Sequence, residues 1–593
     1  MTTTAREPST APHDRSWRLG VRIRHEHRTE VTAGIVIVLV TSLLPFALGS
    51  VYWQQAMLLV DLYVAAAVFL NILRGEGGQI HFGLAAVFGA AAYTEGMAAT
   101  ICGLNFWLSL AIGVVIGFVF GTVTALPALR VQSYYLGFIT LAVAVVLPAM
   151  LLNYNDFTHA ASGIPVVSPG MYTTTVWGMN WVDIVAIILA ALSFVIHAVV
   201  RASRFGRHLK VAADSPEAAA SLGMRPGVLR LAAFGLASLG ASLCGALYVP
   251  ATGFISPGAF PFTLSILFYF AVIVGGAGSI VGPLLGIYLL YLVPNVVFSG
   301  LAQYRLLIYG CIAFIVMLIF PDGIIGFLRS RFASAGTIDP DLGERLSEAM
   351  LSHHADAPLE SRRSDEPALT VTDAARQFGN VHALDGASLE IHAGTVHGLV
   401  GANGSGKTTL LNAISGFITL DRGSVHVTGQ DITTLSATRR ARNGLGRTFQ
   451  APRVFEDMSL QENLHLDTPP DHQDLDTWQR WDQTSAQALT HGQRRLTELY
   501  RVLTRRPSVL LLDEPAAGLS ASERDELGQV LTRLAQDGVA VLLVEHDLTL
   551  VWNIAHTVSV MELGKVVRTG TPSALADDPV IDSLLGGVSN AQR

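Results

Sequence analysis

The sequence predicts a multidomain chain: an all-α polytopic membrane domain of eight to ten transmembrane helices, then an α/β domain built on a nucleotide-binding phosphate loop. Three observations carry this. Hydrophobic residues make up 51% of the 593 and charged residues only 14%, outside the usual range for a soluble protein. Charge is missing over long stretches: Leu231 to Tyr304 contains no Asp, Glu, Lys or Arg, and neither Lys nor Arg occurs between Arg74 and Arg130 or from Val131 to Val200. From Leu369 onward, short β-like runs alternate with helical patterns around a glycine-rich loop. The net charge of −7 averages two unlike halves, and nothing in it marks a nucleic-acid partner. Cys102, Cys244 and Cys311 sit in apolar runs, without disulfide or metal-ligand spacing.

A run of about 17–25 apolar residues suffices to cross a bilayer as a helix. Such runs fall near 31–48, 55–73, 82–101, 106–128, 134–152, 181–200, 231–249, 262–276, 280–298 and 303–320. The stretch 262–276 is short enough to be re-entrant. Arg15, Arg18, Arg22, Arg24 and Arg28 place the N-terminal tail inside, and alternation then puts Arg74, Arg130, Arg201, Arg204, Arg207 and Lys210 inside too. The basic tail is too long for a cleaved leader, the competing reading of the first 50 residues. Asp61 and Glu95 fall within predicted spans, toward the outer ends, where snorkelling or local pairing satisfies them as well as a role along a solute path.

"VAADSPEAAASLGM" in the basic inner segment 201–230 predicts a short helix: Asp214 or Ser215 caps it, Pro216 suits the first turn, Glu217 suits the dipole and Gly223 stops it. A helix there, between two spans, offers a handle for a motor domain; an ordinary amphipathic loop is the alternative. The organisation expected is a basic tail at 1–30, the membrane domain at 31–328, a linker at 329–366 with some helix around Leu342–Leu351, and a nucleotide-binding domain at 367–593.

"HGLVGANGSGKTTLLNAI" reads as strand, glycine loop and helix. Gly401, Asn403, Gly404, Ser405, Gly406, Lys407, Thr408 and Thr409 match the phosphate-loop pattern, in which backbone N–H groups and a helix N-terminus wrap phosphates. Lys407 reaches the terminal phosphates of ATP, and the Thr408 hydroxyl can ligate Mg²⁺. "SVLLLDEP" is a buried strand ending in two carboxylates: Asp513 for Mg²⁺ and Glu514 as general base toward the attacking water. His546 ends a further strand, where it could bond the γ-phosphate and the water. Gln450 is a candidate sensor contacting Mg²⁺ and water, and Phe378 either stacks on adenine or packs in the core.

With these residues in hand, 369–590 resembles an ABC-transporter ATPase, through "GANGSGKTT", Gln450, "LTHGQRR", "LLLDEP", "AAGLS" and His546 in that order. "RTFQ", "EHDL" and "GKVVRTGTP" look most like the leucine/isoleucine/valine uptake family. In the membrane half, "GGQIHFGLAAVFGAAAYT", "SRFGRHLKVAADSPEAAASLGM", "GFISPGAF" and "VGGAGSIVGPLLG" resemble one permease type of the same family. The resemblance implies a fused permease and ATPase in a bacterial plasma membrane, facing lipid, with an extracytoplasmic substrate-binding protein, a second permease and a second ATPase, either a copy of this chain or another subunit. It also assigns "LTHGQ", with Thr490, Gly492 and Gln493, to the loop that completes the ATP site of the opposite ATPase. His491 falls where that family often carries a bulky residue.

Two departures stand out. The segment from Gln450 to Leu489 is short for the family, and Ser520 stands where many ABC proteins place Asp. The implied activity is ATP-driven import of branched-chain amino acids. Look-alike systems take urea, short amides or other carboxylates, and an exporter, a flippase or a membrane-tethered regulatory ATPase are the readings from other classes.

Overall fold

The computed structural model describes residues 25–131, 133–153, 162–166, 178–297, 299–332, 342–355, 366–466, 481, 484–546 and 548–576. All ten apolar stretches contain helix. Among the described residues, eight helices are long and apolar enough to cross a membrane: those within 27–47, 51–76, 106–124, 134–153, 181–202, 226–252, 257–275 and 306–329. The stretch 262–276, short by its apolar run alone, is extended to 19 residues by a turn beginning at Pro257. Two shorter helical segments, Leu84–Thr100 and Gly282–Val297, lie between the long ones.

Small residues let these helices approach. Along Phe106–Thr124 the buried positions are Phe106, Ser109, Gly113, Gly117 and Gly121, a stripe repeating every three or four residues, while Val115, Ile116, Val119 and Val123 on the other faces are exposed. A Cβ on Gly121 would lie 2.4 Å from Ser238 Oγ, and one on Gly117 2.6 Å from Ala91 Cβ. Leu84–Thr100 is packed between this helix and Pro226–Thr252.

Asp61 and Glu95 do not snorkel. Both are buried; Asp61 accepts from Ser42 at 2.7 Å and Glu95 from Ser109 at 3.1 Å. Asp61 lies in the outer half of its span, in line with the sequence: the helix runs from Val51 through a π turn to Glu76, ten residues to its outer end and 15 to its inner end.

The inner segment folds as expected and docks. Ser203 caps the helix Arg204–Asp214, Ser215 (not Asp214) caps Pro216–Ser221 by accepting from Ala218 N, and Gly223 turns with φ +72°. Ala218, Ala219, Leu222 and Met224 are buried in one apolar cluster with residues of the nucleotide-binding domain. Thr438 donates to Met224 O at 2.7 Å and Arg442 to Gly223 O at 2.9 Å. The linker is more than a tether: Leu342–Ala355 is a helix whose Leu342, Leu346 and Met350 are buried against His491–Leu503 and Ala521–Gln536.

In the soluble half, Val396–Val400, Val509–Asp513 and Ala540–Val544 are buried at every position, as strands covered on both faces must be. They form the centre of a six-stranded sheet ordered Lys565–Gly570, Thr557–Glu562, Val396–Val400, Ala540–Val544, Val509–Asp513, Leu445–Arg447, parallel except at the first pair. A four-stranded antiparallel sheet, ordered Val381–Ile391, Leu369–Phe378, Arg422–Val427, Gln430–Asp431, lies beside it.

Candidate active site

The strand Val396–Val400 runs into the loop 401–406 and the helix Lys407–Ser415, so the loop emerges at the carboxyl edge of the parallel sheet. Gly406 has φ +107°, and a Cβ there would meet Ala383 O at 2.5 Å, so no other residue fits. Asn403, Gly404 and Thr408 are exposed, with open space around Gly404, while Ser405 is buried and its Oγ has no partner. Thr409 is partly buried. The Lys407 ammonium is folded back on the loop, donating to Gly401 O at 2.7 Å and Ala402 O at 3.0 Å, and burial lowers its pKa. An open rim of backbone, an unsatisfied hydroxyl and an ammonium on provisional acceptors fit a polyphosphate.

Two strands along, beyond Ala540–Val544, Asp513 ends Val509–Asp513, and burial raises its pKa against the pull of the Arg447 guanidinium, 3.8 Å distant. Glu514 follows with φ +47°, a strained backbone for a non-glycine residue that turns its side chain out of the strand. Gln450 Nε2 donates to its Oε2 at 2.8 Å, and His546 Nε2 lies 2.8 Å from its Oε1. Two residues from other segments thus converge on one carboxylate. Held from both sides, it is oriented to accept a proton from a water in front of it. Thr408 and Asp513 supply hard oxygen donors of the kind Mg²⁺ takes.

Phe378 ends the strand Leu369–Phe378, is 44% exposed and carries the Arg376 guanidinium 5.0 Å from its ring centre. It is not a core residue.

The stretch 489–493 stands apart from the phosphate loop. Thr490 caps the helix His491–Leu503: its hydroxyl accepts from Gln493 N, and Gln493 Oε1 accepts from Thr490 N at 3.0 Å. Gln493 is buried in that reciprocal cap, so its side chain is occupied within its own helix. Thr490 keeps its hydroxyl proton and is exposed. A Cβ on Gly492 would fall 2.1 Å from Glu523 Oε1, and His491 Nε2 is 3.1 Å from Ala517 O. Ser520 caps Ala521–Gln536 in a second reciprocal box with Glu523. Among the described residues, hydrogen bonds of Thr490–Gln493 reach neither the loop 401–406 nor Thr408. Of the shortened segment, 467–480 lies outside the described residues.

Several residues in the site escaped the sequence. Arg495, 1% exposed, donates to Gln450 O at 2.6 Å, Glu514 O at 3.3 Å and Phe449 O, and pairs with Glu498 at 3.2 Å. Glu498 in turn accepts from Phe449 N and Arg453 N, and burial raises its pKa against the Arg495 charge. Arg447 lies over the Phe417 and Phe449 rings, and burial brings its pKa to about 10. The signal available was the spacing of Arg495 and Glu498, three apart on a helix directly after "HGQ".

Comparison with known proteins matches this architecture. The family model for the permease component of branched-chain amino acid transport systems covers residues 52–321, and that for the ABC transporter covers 384–517. The high-affinity branched-chain amino acid transport ATP-binding protein BraF of Pseudomonas aeruginosa is 34% identical over 250 residues, covering 37% of this chain and 98% of the relative. The chain belongs to the branched-chain amino acid ABC transporter family. The corresponding Escherichia coli protein LivG is 32% identical over 251 residues, covering 37% of this chain and 98% of its own. A solved nucleotide-free ATP-binding cassette of an ABC transporter is 27% identical with TM-score 0.34, covering 37% of this chain and 98% of that one. As a member of this family the chain is a membrane protein, a permease fused to an ATPase that binds ATP and couples its hydrolysis to import.

Proposed function

We propose that the chain imports branched-chain amino acids across a bacterial plasma membrane, using ATP–Mg²⁺ hydrolysed at Glu514. The observation that carries the chemical part is the convergence of Gln450 and His546 on the two Glu514 oxygens. In this reading Lys407 exchanges the Gly401 and Ala402 carbonyls for the terminal phosphates. Glu514 takes a proton from the attacking water as its oxygen bonds to the γ-phosphorus and ADP leaves; His546 and Gln450 hold the carboxylate and water in line. Thr408, Gln450 and Asp513 would hold Mg²⁺, which neutralises phosphate charge. Phe378, on an exposed strand end, offers its ring to adenine.

Thr490 and Gly492 face the nucleotide of a second ATPase in this reading, with Gln493 rigidifying the turn. A copy of this chain or another subunit supplies that ATPase. A second permease and an extracytoplasmic substrate-binding protein complete the importer. Domain roles follow 31–328 for the permease and 367–593 for the ATPase, with the helix Leu342–Ala355 of the linker packed on the latter.

The substrate is supported by the family resemblance. The test is ATP-driven uptake into proteoliposomes holding the assembled complex and its binding protein, with leucine, isoleucine and valine against urea, acetamide and a short carboxylate. Uptake of the branched-chain set, competed by its own members alone, is expected. Preferential uptake of urea or an amide would replace that substrate and leave the ATPase chemistry standing.

A further inference from the structure

The helix starting at Val51 ends in a single π turn, Ile72–Glu76, a local distortion that recurs at functional positions. Its last residue, Glu76, is fully buried, and the ring of bases around it comes from two other segments. His197 Nε2 is 3.3 Å and Arg201 3.7 Å from Oε1, both on the helix Trp181–Ala202. Lys210 Nζ is 3.2 Å from Oε2, on Arg204–Asp214. The backbone after Glu76 is shaped for this contact. A Cβ on Gly77 would sit 3.3 Å from Leu209 Cδ1, and one on Gly78, where φ is +62°, 3.2 Å from Ala213 Cβ. Arg201 reaches further, donating to Gly278 O, in a loop that Asn71 also holds through Gly278 N at 2.9 Å and Ser279 O at 2.7 Å.

On its other side, Arg204–Asp214 leads within one residue to Pro216–Ser221 and the carbonyls of Gly223 and Met224, which Arg442 and Thr438 of the ATPase half hold. We infer that Glu76 is the membrane-side anchor of the docking segment: through Lys210 it transmits ATPase movement to the membrane helices and to the loop 276–280. Two short helices joined at Ser215 link the two halves, and coupling travels through contiguous packed elements of this kind. Their attachment is a carboxylate that is itself fully buried and shared by Lys210, Arg201 and His197, and a buried ionisable group of this kind is retained for a specific task. Glu76 and Lys210 are positioning residues: they touch neither ATP nor the groups around Glu514.

The inference rests on the import reading for its solute readout. In the assembled complex, Lys210→Met keeps the side-chain stem and removes the charge. ATP hydrolysis is expected within about twofold of wild type, while solute imported per ATP falls about tenfold; Lys210→Arg restores the ratio. Glu76→Gln is expected to give the same loss, and adding it to Lys210→Met no further one. A merely structural role lowers hydrolysis and uptake together and leaves their ratio unchanged, which overturns the proposal, as do additive losses in the double variant. A second measurement needs no solute: ATP-dependent change in amide exchange at 276–282, expected in wild type and lost in Lys210→Met while exchange at 436–442 still responds. The same change in both proteins overturns the anchor. Absent uptake in wild type with the exchange result intact overturns the import reading alone.

Discussion

Arg495→Met removes the guanidinium that ties the Gln450 and Glu514 carbonyls together while preserving most of the side chain's volume. Arg495 is 1% exposed and Glu498 2%, so the variant strands a buried carboxylate that retains only the Phe449 and Arg453 amides and the neighbouring Arg501. Breaking a buried pair from one side costs about 3–5 kcal/mol. At about 2–4 °C per kcal/mol for a domain of this size, the ATPase half should melt roughly 6–20 °C lower. The carbonyls on either side of the site also lose their common donor, and a shift of about 1 Å in reacting groups can slow chemistry by on the order of a hundredfold. Arg495 touches none of Gly401–Thr409, so the KM for ATP should move less than about twofold while kcat falls at least about tenfold. Thermal unfolding of the purified full chain and steady-state phosphate release measure both. Arg495→Met/Glu498→Gln, which removes the stranded charge, should recover about half of the lost stability and little of kcat. Wild-type melting with unchanged kcat would refute the role given to this residue.

Other expectations can be measured on the same preparations. His397 is buried, bonds Ser559 at 2.9 Å, and burial lowers its pKa to about 4. A depressed imidazole stabilises the fold fully above about pH 6.5 and loses that contribution as pH falls toward 4, about 3 kcal/mol in all; His397→Gln should flatten this part of the melting-versus-pH curve, and an unchanged slope would contradict it. Leu346→Ala empties a fully buried contact between the linker helix and the ATPase, and should destabilise it by about 2–5 kcal/mol; a wild-type melt would mean that the helix is a free tether. Thr490→Ala removes a reciprocal cap worth about 1 kcal/mol, whereas Thr490→Ser keeps it. Equal ATPase rates in all three proteins would remove Thr490 from the nucleotide site of the partner ATPase.

Local motifs were legible because their chemistry is written in consecutive residues. Gly406, Lys407 and Thr408 follow a strand, and Asp513 and Glu514 end one, so each could be assigned from its own neighbourhood. The start of the docking helix at Asp214 or Ser215 and its stop at Gly223 were equally local. The direct contacts were less legible: Gln450, Glu514 and His546, each expected around the attacking water, lie far apart in the chain and meet through the order of the parallel sheet. Buried charges were also invisible. Arg495, Glu498 and Glu76 interrupt apolar periodicity in the same way as solvent-facing residues do, and only their partners reveal that they are inside. The linker helix is legible as a helix around Leu342–Leu351 but not as a packed one, since Leu342, Leu346 and Met350 are too few apolar residues to announce a packed face.

Glu514→Gln tests the account at its centre. The substitution keeps the size of the side chain and its contact with Gln450 but removes the charge that accepts the proton. In proteoliposomes containing the assembled transporter, its binding protein and labelled leucine, ATP should still bind to the variant near wild-type affinity while phosphate release and uptake both fall to background. Uptake retained at the wild-type rate would contradict the claim that hydrolysis at Glu514 drives transport.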